Sequence, residues 1–212
     1  MTDQFAISIK GILEVNGKLL LRKNERLEYE LLGGRLEKGD PSAEQRLVTE
    51  FAEESGIKIA VSVQREPWLY EIGLKNIIIV PFVCKALEIP QTLTDEDGGT
   101  LHWLAPDEAA ASFMPQGYKD SITGAIPHKS YSIPPKAYFK RIPGYVPRDY
   151  FVEIRVREGE KELLRAALPH FHAPRDVIGG SLGEKYKGAQ LIPQPMEIDE
   201  GREMVVLRYE IL

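Results

Sequence analysis

GGRLEKGDPSAEQRLVTEFAEESGI, Gly33 to Ile57, runs from paired glycines into three carboxylates, Glu50, Glu53 and Glu54. From Ser42 to Ser55 the apolar residues follow a helical period, with Leu47, Val48, Phe51 and Ala52 on one side. Asp40-Pro41-Ser42 marks the start, Ser42 and Gln45 can form a capping box, and Gly56 suits a C-cap. A helix advances about 100° per residue, so Glu53 falls about −60° and Glu54 about +40° from Glu50. Like charges at that spacing repel, and no lysine lies between 47 and 57 to relieve them. A solvated acidic face is the plain reading. The sharper one is a seat for a hard divalent cation, Mg²⁺ or Mn²⁺, which prefers concentrated oxygen ligands. Gly33-Gly34 supports the second, because glycines let backbone approach a ligand and expose carbonyls to it.

Outward from this stretch the chain reads as alternating strands and short helices. FAISIKGILEV and KLLLRKN flank Asn16-Gly17, a strong hairpin signal over residues 5 to 23. YELLGG (29–34) predicts a short strand, and further strands are expected near 57–64, 67–72, 76–86 and 101–104. PDEAAASFM (106–114) predicts a short helix with proline in its first turn, and another is expected near 117–125. Between Pro115 and Pro147 prolines recur too often for regular helix or central strand. Beyond them, 150–157 predicts a strand, EKELLRAAL (160–168) a helix and 203–212 a closing strand.

Composition bounds the function. The 212 residues, 43% hydrophobic and 28% charged, describe an ordinary globular chain of one large domain or a domain with a smaller partner. A formal charge of −5 and a pI near 5.5 argue against a nucleic-acid-binding surface. The single cysteine, Cys84, lies in the apolar run IIIVPFVC and is expected in the core of a protein in a reducing compartment. The first residues lack the pattern of a signal peptide, and no apolar run approaches the roughly 20 residues of a membrane span. A cytoplasmic protein with no membrane partner is expected.

Gly33 to Ile57 resembles the Nudix box: a glycine, five residues, an acid, seven residues, then Arg-Glu-hydrophobic-x-Glu-Glu-x-Gly-hydrophobic. Gly34 and Asp40 match its opening, and Glu50, Phe51, Glu53, Glu54, Gly56 and Ile57 its close. Two departures stand out: eight residues separate Asp40 from Thr49, and Thr49 occupies the arginine position. Arg46 lies about −40° from Glu50 on the same wheel and is the candidate substitute. The resemblance covers about residues 5–125. It implies an α+β fold, a mixed sheet sandwiched by helices, as domain 1–125. Residues 126–212 form a Pro-rich connection and a small C-terminal α+β appendage to which the resemblance does not extend.

The resemblance further implies Mg²⁺-dependent (or Mn²⁺-dependent) hydrolysis of a nucleoside diphosphate linked to another moiety, often by a homodimer. By that likeness the Gly33 carbonyl, Glu50, Glu53 and Glu54 hold the metal, Glu50 orients or deprotonates water, and Glu96 adds a ligand from the loop before Trp103. Asp95 and Asp97 flank Glu96 and are alternatives. Arg46, Glu50 and Glu54 are the catalytic candidates. Arg35 and Arg22 are candidates for substrate phosphate, and Trp68, with Tyr70, for stacking on a base or for core packing. PHFHAPRD (169–176) pairs two histidines with a nearby acid, but no further ligand cluster supports a metal site there. The competing class is a catalytically degenerate Nudix domain that binds a nucleotide or metabolite and signals through 126–212.

Overall fold

A computed structural model describes residues 4–73, 75–93, 99–132 and 149–212. The elements are β1 (Gln4–Val15), β2 (Lys18–Lys23), β3 (Tyr29–Glu30), α1 (Ala43–Ser55), β4 (Lys58–Gln64), β5 (Trp68–Ile72) and β6 (Lys75–Glu88). They continue with β7 (Thr100–Leu104), α2 (Pro106–Ala111), α3 (Gln116–Thr123), β8 (Lys129–Ser132), β9 (Tyr150–Glu158) and β10 (Lys161–Ala167). Last come α4 (Pro174–Leu182), β11 (Leu191–Asp199) and β12 (Met204–Ile211). The fold is α+β, with a large mixed sheet and few helices.

β1 organises the sheet. It runs parallel to β6 and antiparallel to β2 and, at its first residues, to β9. Strands covered on both faces read as near-continuous apolar runs, as AISIKGIL and NIIIVPFV do. The β1–β2 hairpin turns on Asn16 and Gly17, both at positive φ (51° and 73°). The main path of the sheet is β11-β12-β9-β1-β6-β5-β8, so strands from both parts of the chain share it.

α1 begins at Ser42, whose hydroxyl accepts the Gln45 N–H, and ends at Gly56 in the left-handed region. It buries Ala43, Leu47, Glu50, Phe51, Glu54 and Ser55, while Ala52, expected on the apolar side, is exposed. The helix is turned so that two of its three acids face inward. That excludes a merely solvated acidic face.

Residues 160–168, expected as a helix, form β10 instead. Gly159, at φ 59°, turns the chain back so that 161–167 pairs along β9. Helix propensity is a weak prior that a paired edge overrides. The strand expected over 29–34 is regular only at Tyr29–Glu30. Gly33 at φ 123° interrupts it, and Leu32 and Arg35 make isolated bridges to Gly11 and Ser8. β8, α4 and β11 were not anticipated.

One core cluster joins Phe5, Ile9, Phe51 and Phe82 to Tyr150, Ile154, Leu207 and Tyr209, so the two ends of the chain share it. Cys84 lies in it, and burial pushes its thiol up to about 12. A second cluster holds Trp68, Tyr70, Met114 and Tyr118. Polar links cross between the segments as well. Buried Glu66 accepts the Tyr209 hydroxyl at 2.9 Å and Arg175 Nη2 at 2.5 Å. Among the described residues no helix is long and apolar enough to cross a membrane.

Candidate functional site

The two glycines make room for the chain itself. A Cβ on Gly33 would overlap the Ile9 carbonyl, and its φ of 123° is one that side chains rarely adopt. A Cβ on Gly34 would lie inside contact distance of the Glu50 carboxylate. Gly34 is therefore the floor on which Glu50 rests. The Gly33 N–H donates to Glu54 Oε2 at 2.8 Å, and the Gly33 carbonyl accepts Lys10 Nζ at 2.5 Å. Loop and helix are stapled through Glu54, and β1 reaches the same point through Lys10.

Electrostatics follow from burial. Glu50 and Glu54 are 7% and 5% exposed, and desolvation disfavours a buried charge. Burial pushes Glu54 up to about 7, against the opposing pull of Lys10, the Gly33 N–H and Arg22. Burial also raises Glu50, offset by Arg46 and then Lys10. Glu53 is exposed. The acids thus divide into two inward groups with under-compensated charge and one outward.

Arg46 Nη2 lies 2.5 Å from Glu50 Oε1, one turn along α1, and 3.1 Å from Glu37 Oε1. Its Nε is 4.0 Å from Asp40 Oδ2. Burial works against its charge, but Glu50 first, then Glu37, Asp40 and Glu53, hold the guanidinium protonated. Thr49 turns its hydroxyl back to the Gln45 carbonyl at 3.2 Å and supplies no charge.

Other anticipated residues sit elsewhere. Arg22, expected to reach a phosphate, is 8% exposed and lies 3.2 Å from Glu30 and 3.9 Å from Glu54. The carboxylates of Glu30 and Glu54 draw it inward. Arg35 pairs with Asp149, so it links the loop to the start of β9. Trp68 is fully buried, with Tyr118 edge-on at 5.0 Å and Tyr70 at 5.5 Å. It has no face left for a base; core packing is its role. Tyr70 is 1% exposed and donates to Glu28 at 3.0 Å. Glu96, with Asp95 and Asp97, lies outside the described residues. Among the described residues no three His, Cys, Asp or Glu side chains are grouped as a metal cage. His170 stands edge-on to Phe5 at 5.1 Å.

Sequence reasoning passed over Lys10. The signal was there: one lysine between Ile9 and Gly11 in a run that is otherwise apolar. A lysine 7% exposed in a central strand needs a partner. Its hydrogen-bond partner is the Gly33 carbonyl, and its charge favours the ionised forms of both inward acids.

The donors fit a hard divalent cation chemically. Two carboxylates are held in a buried setting where desolvation disfavours their charge, and a third carboxylate and a glycine carbonyl are close by in the chain.

No protein-family model matches the sequence, and no curated protein matches it. Solved structures match it in fold. The MutT protein from Methanosarcina mazei Go1 aligns with a TM-score of 0.50 at 17% identity, over 58% of this chain and 94% of its own. A NUDIX hydrolase from Nitrosomonas europaea aligns with a TM-score of 0.49 at 15% identity, over 63% of this chain and 81% of its own. The E. coli ORF135 protein aligns with a TM-score of 0.46 at 25% identity, over 57% of this chain and 87% of its own. The likeness is one of fold.

Proposed function

We propose that the chain hydrolyses the diphosphate linkage of a nucleoside diphosphate derivative, with Mg²⁺ or Mn²⁺ as cofactor. The reading rests on one observation above all. Glu50 and Glu54 are buried together on α1 against Gly33-Gly34, with Glu50 seated on a position that only glycine leaves open.

Glu50, Glu54, the outward Glu53 and the Gly33 carbonyl are the groups that would hold the cation. Once bound, it would neutralise charge developing on the phosphoryl oxygens and acidify an attacking water. The chain's own part is positioning. The Gly33 N–H fixes the Glu54 carboxylate, and Arg46 fixes Glu50 in the role that the family pattern gives to an arginine at position 49. Glu50 is the group that would take or orient a proton of water. We further propose that 1–125 carries the chemistry and that 126–212 is an appendage completing its core.

Phosphate release from ADP-ribose, nucleotide sugars, dinucleotides and oxidised deoxynucleoside triphosphates, with Mg²⁺ or Mn²⁺, tests the reading. Turnover of one class, lost on chelation, is expected. A second reading, a binding module without turnover, is favoured by Arg46 and Arg22, which already meet Glu50 and Glu54. Saturable binding of one of these compounds with no cleavage under any metal supports it instead.

A further inference from the structure

Lys10 occupies an unusual place for a lysine. It projects from β1, the strand at the organising centre of the sheet, and is almost wholly buried. Its ammonium does not pair with one acid in the ordinary way. It donates to the Gly33 carbonyl at 2.5 Å and acts on Glu54 and Glu50 together. These are three of the four groups assigned to the cation above.

We propose that Lys10 is a built-in counter-ion that competes with the divalent cation for the Gly33 carbonyl and the Glu50 and Glu54 carboxylates, so that metal loads by displacing the lysine. The inference rests on the reading of α1 as a metal seat. Two buried carboxylates one helical turn apart repel, and a chain without a counter-charge there would fold poorly in the absence of metal. Lys10 supplies part of that charge permanently, beside Arg46 at Glu50 and Arg22 at Glu54. A carbonyl oxygen engaged by an ammonium is a poor ligand for a second cation, because the two positive charges repel at contact range in a low-dielectric site. The device makes the metal-free fold stable and the metal site weaker than its carboxylates alone would make it. Arg22 and Arg46 do not act in this way. Arg22 is shared with Glu30, and Arg46 with Glu37 and Asp40, whereas Lys10 bonds the Gly33 carbonyl itself.

The test is calorimetric titration of Mn²⁺ into the full chain without substrate, for the wild type, Lys10→Met and Lys10→Gln. We expect Lys10→Met to bind Mn²⁺ at least tenfold more tightly than the wild type. The melting temperature of the variant should be lower without metal and rise further than the wild type's at saturating Mn²⁺. Equal or weaker Mn²⁺ affinity in Lys10→Met overturns the proposal, since Lys10 then prepares the carboxylates for metal rather than opposing it. If Lys10→Met does not fold, Lys10→Gln carries the test, as it loses the charge but keeps a donor, with the same two outcomes. Absence of Mn²⁺ binding in every protein overturns both this inference and the metal seat. Tighter binding in the variant, with no diphosphate hydrolysed by the wild type, leaves the inference standing and removes the proposed activity alone.

Discussion

Arg46 and Glu50 stand one helical turn apart on α1 with guanidinium and carboxylate 2.5 Å from each other. Position 49, where the box resembled by this helix has its arginine, holds a threonine bonded back to its own helix. A positive charge therefore still reaches Glu50, from one turn earlier. The side chains of this pair are only 17% and 10% exposed, so removing the guanidinium strands a buried carboxylate and affects stability as well as positioning. Arg46→Ala is expected to lower turnover about tenfold, equivalent to about 1.4 kcal/mol of lost positioning, and to lower the melting temperature as well, because Glu50 is left buried without its closest cation. Thr49→Arg in that background should recover part of the rate. An unchanged rate in Arg46→Ala, together with a faster Thr49→Arg single variant, would make Arg46 a surface charge and favour the binding module.

The seat of Glu50 on Gly34 gives a second expectation. Gly34→Ala forces a methyl group against the Glu50 carboxylate. Overpacking of this kind typically costs about 1–3 kcal/mol, to be read from denaturant midpoints. Glu50→Ala in the same background removes the clash and should restore most of the loss. If Gly34→Ala is just as destabilising with Glu50→Ala as without it, the carboxylate does not rest there.

Glu54 makes metal-free stability depend on pH. Its folded pKa, about 7, lies above the ordinary 4.5 because burial favours the neutral form. Between those values the folded state binds more protons than the unfolded state, so stability falls as pH rises from about 4.5 to about 7. Glu54→Gln keeps the acceptor for the Gly33 N–H without the charge. It should flatten this slope and stabilise the chelated protein at neutral pH. Melting curves in EDTA from pH 4.5 to pH 8 decide it. A slope unchanged by Glu54→Gln assigns the titration to another group.

Local signals carried the hairpin and α1 into view, because Asn16-Gly17, Ser42 and Gly56 each dictate backbone conformation without help from distant residues. The same locality misled at 160–168. Its Glu, Lys and Leu content favours a helix, but the edge of β9 captured it as a strand. α4 was obscured by Gly179 and Gly180 within it, and β11 by Pro193 and Pro195. In the site, the spacing of Glu50, Glu53 and Glu54 was readable, yet which of them turn inward depends on how α1 packs. Burial of Arg22, Trp68 and Lys10 was beyond reach for the same reason: each is set by partners far along the chain. Lys10 meets Gly33 across 23 residues.

Residues 126–212 should prove inseparable from the rest. Arg175 and Tyr209 both serve Glu66, which is 7% exposed. Removing one partner of a buried pair typically costs about 3–5 kcal/mol. Arg175→Met should cost on that order at pH 8 and less at pH 5, because burial raises the Glu66 pKa and protonation then relieves the stranded charge. A chain ending at 125 loses β9 from the start of β1 and uncovers Phe5, so aggregation or altered assembly is expected on gel filtration. A soluble, monodisperse and fully active 1–125 would make 126–212 an independent module.

The central claim is that the acids of α1 drive diphosphate hydrolysis. Its most direct measurement compares turnover of the best diphosphate substrate at limiting Mg²⁺ for the wild type, Glu53→Gln and Glu54→Gln, with circular dichroism to verify folding. The expected result is loss of most turnover in Glu54→Gln and a marked loss in Glu53→Gln, with both proteins folded. Near wild-type rates in both folded variants would contradict the claim and move the site away from this helix.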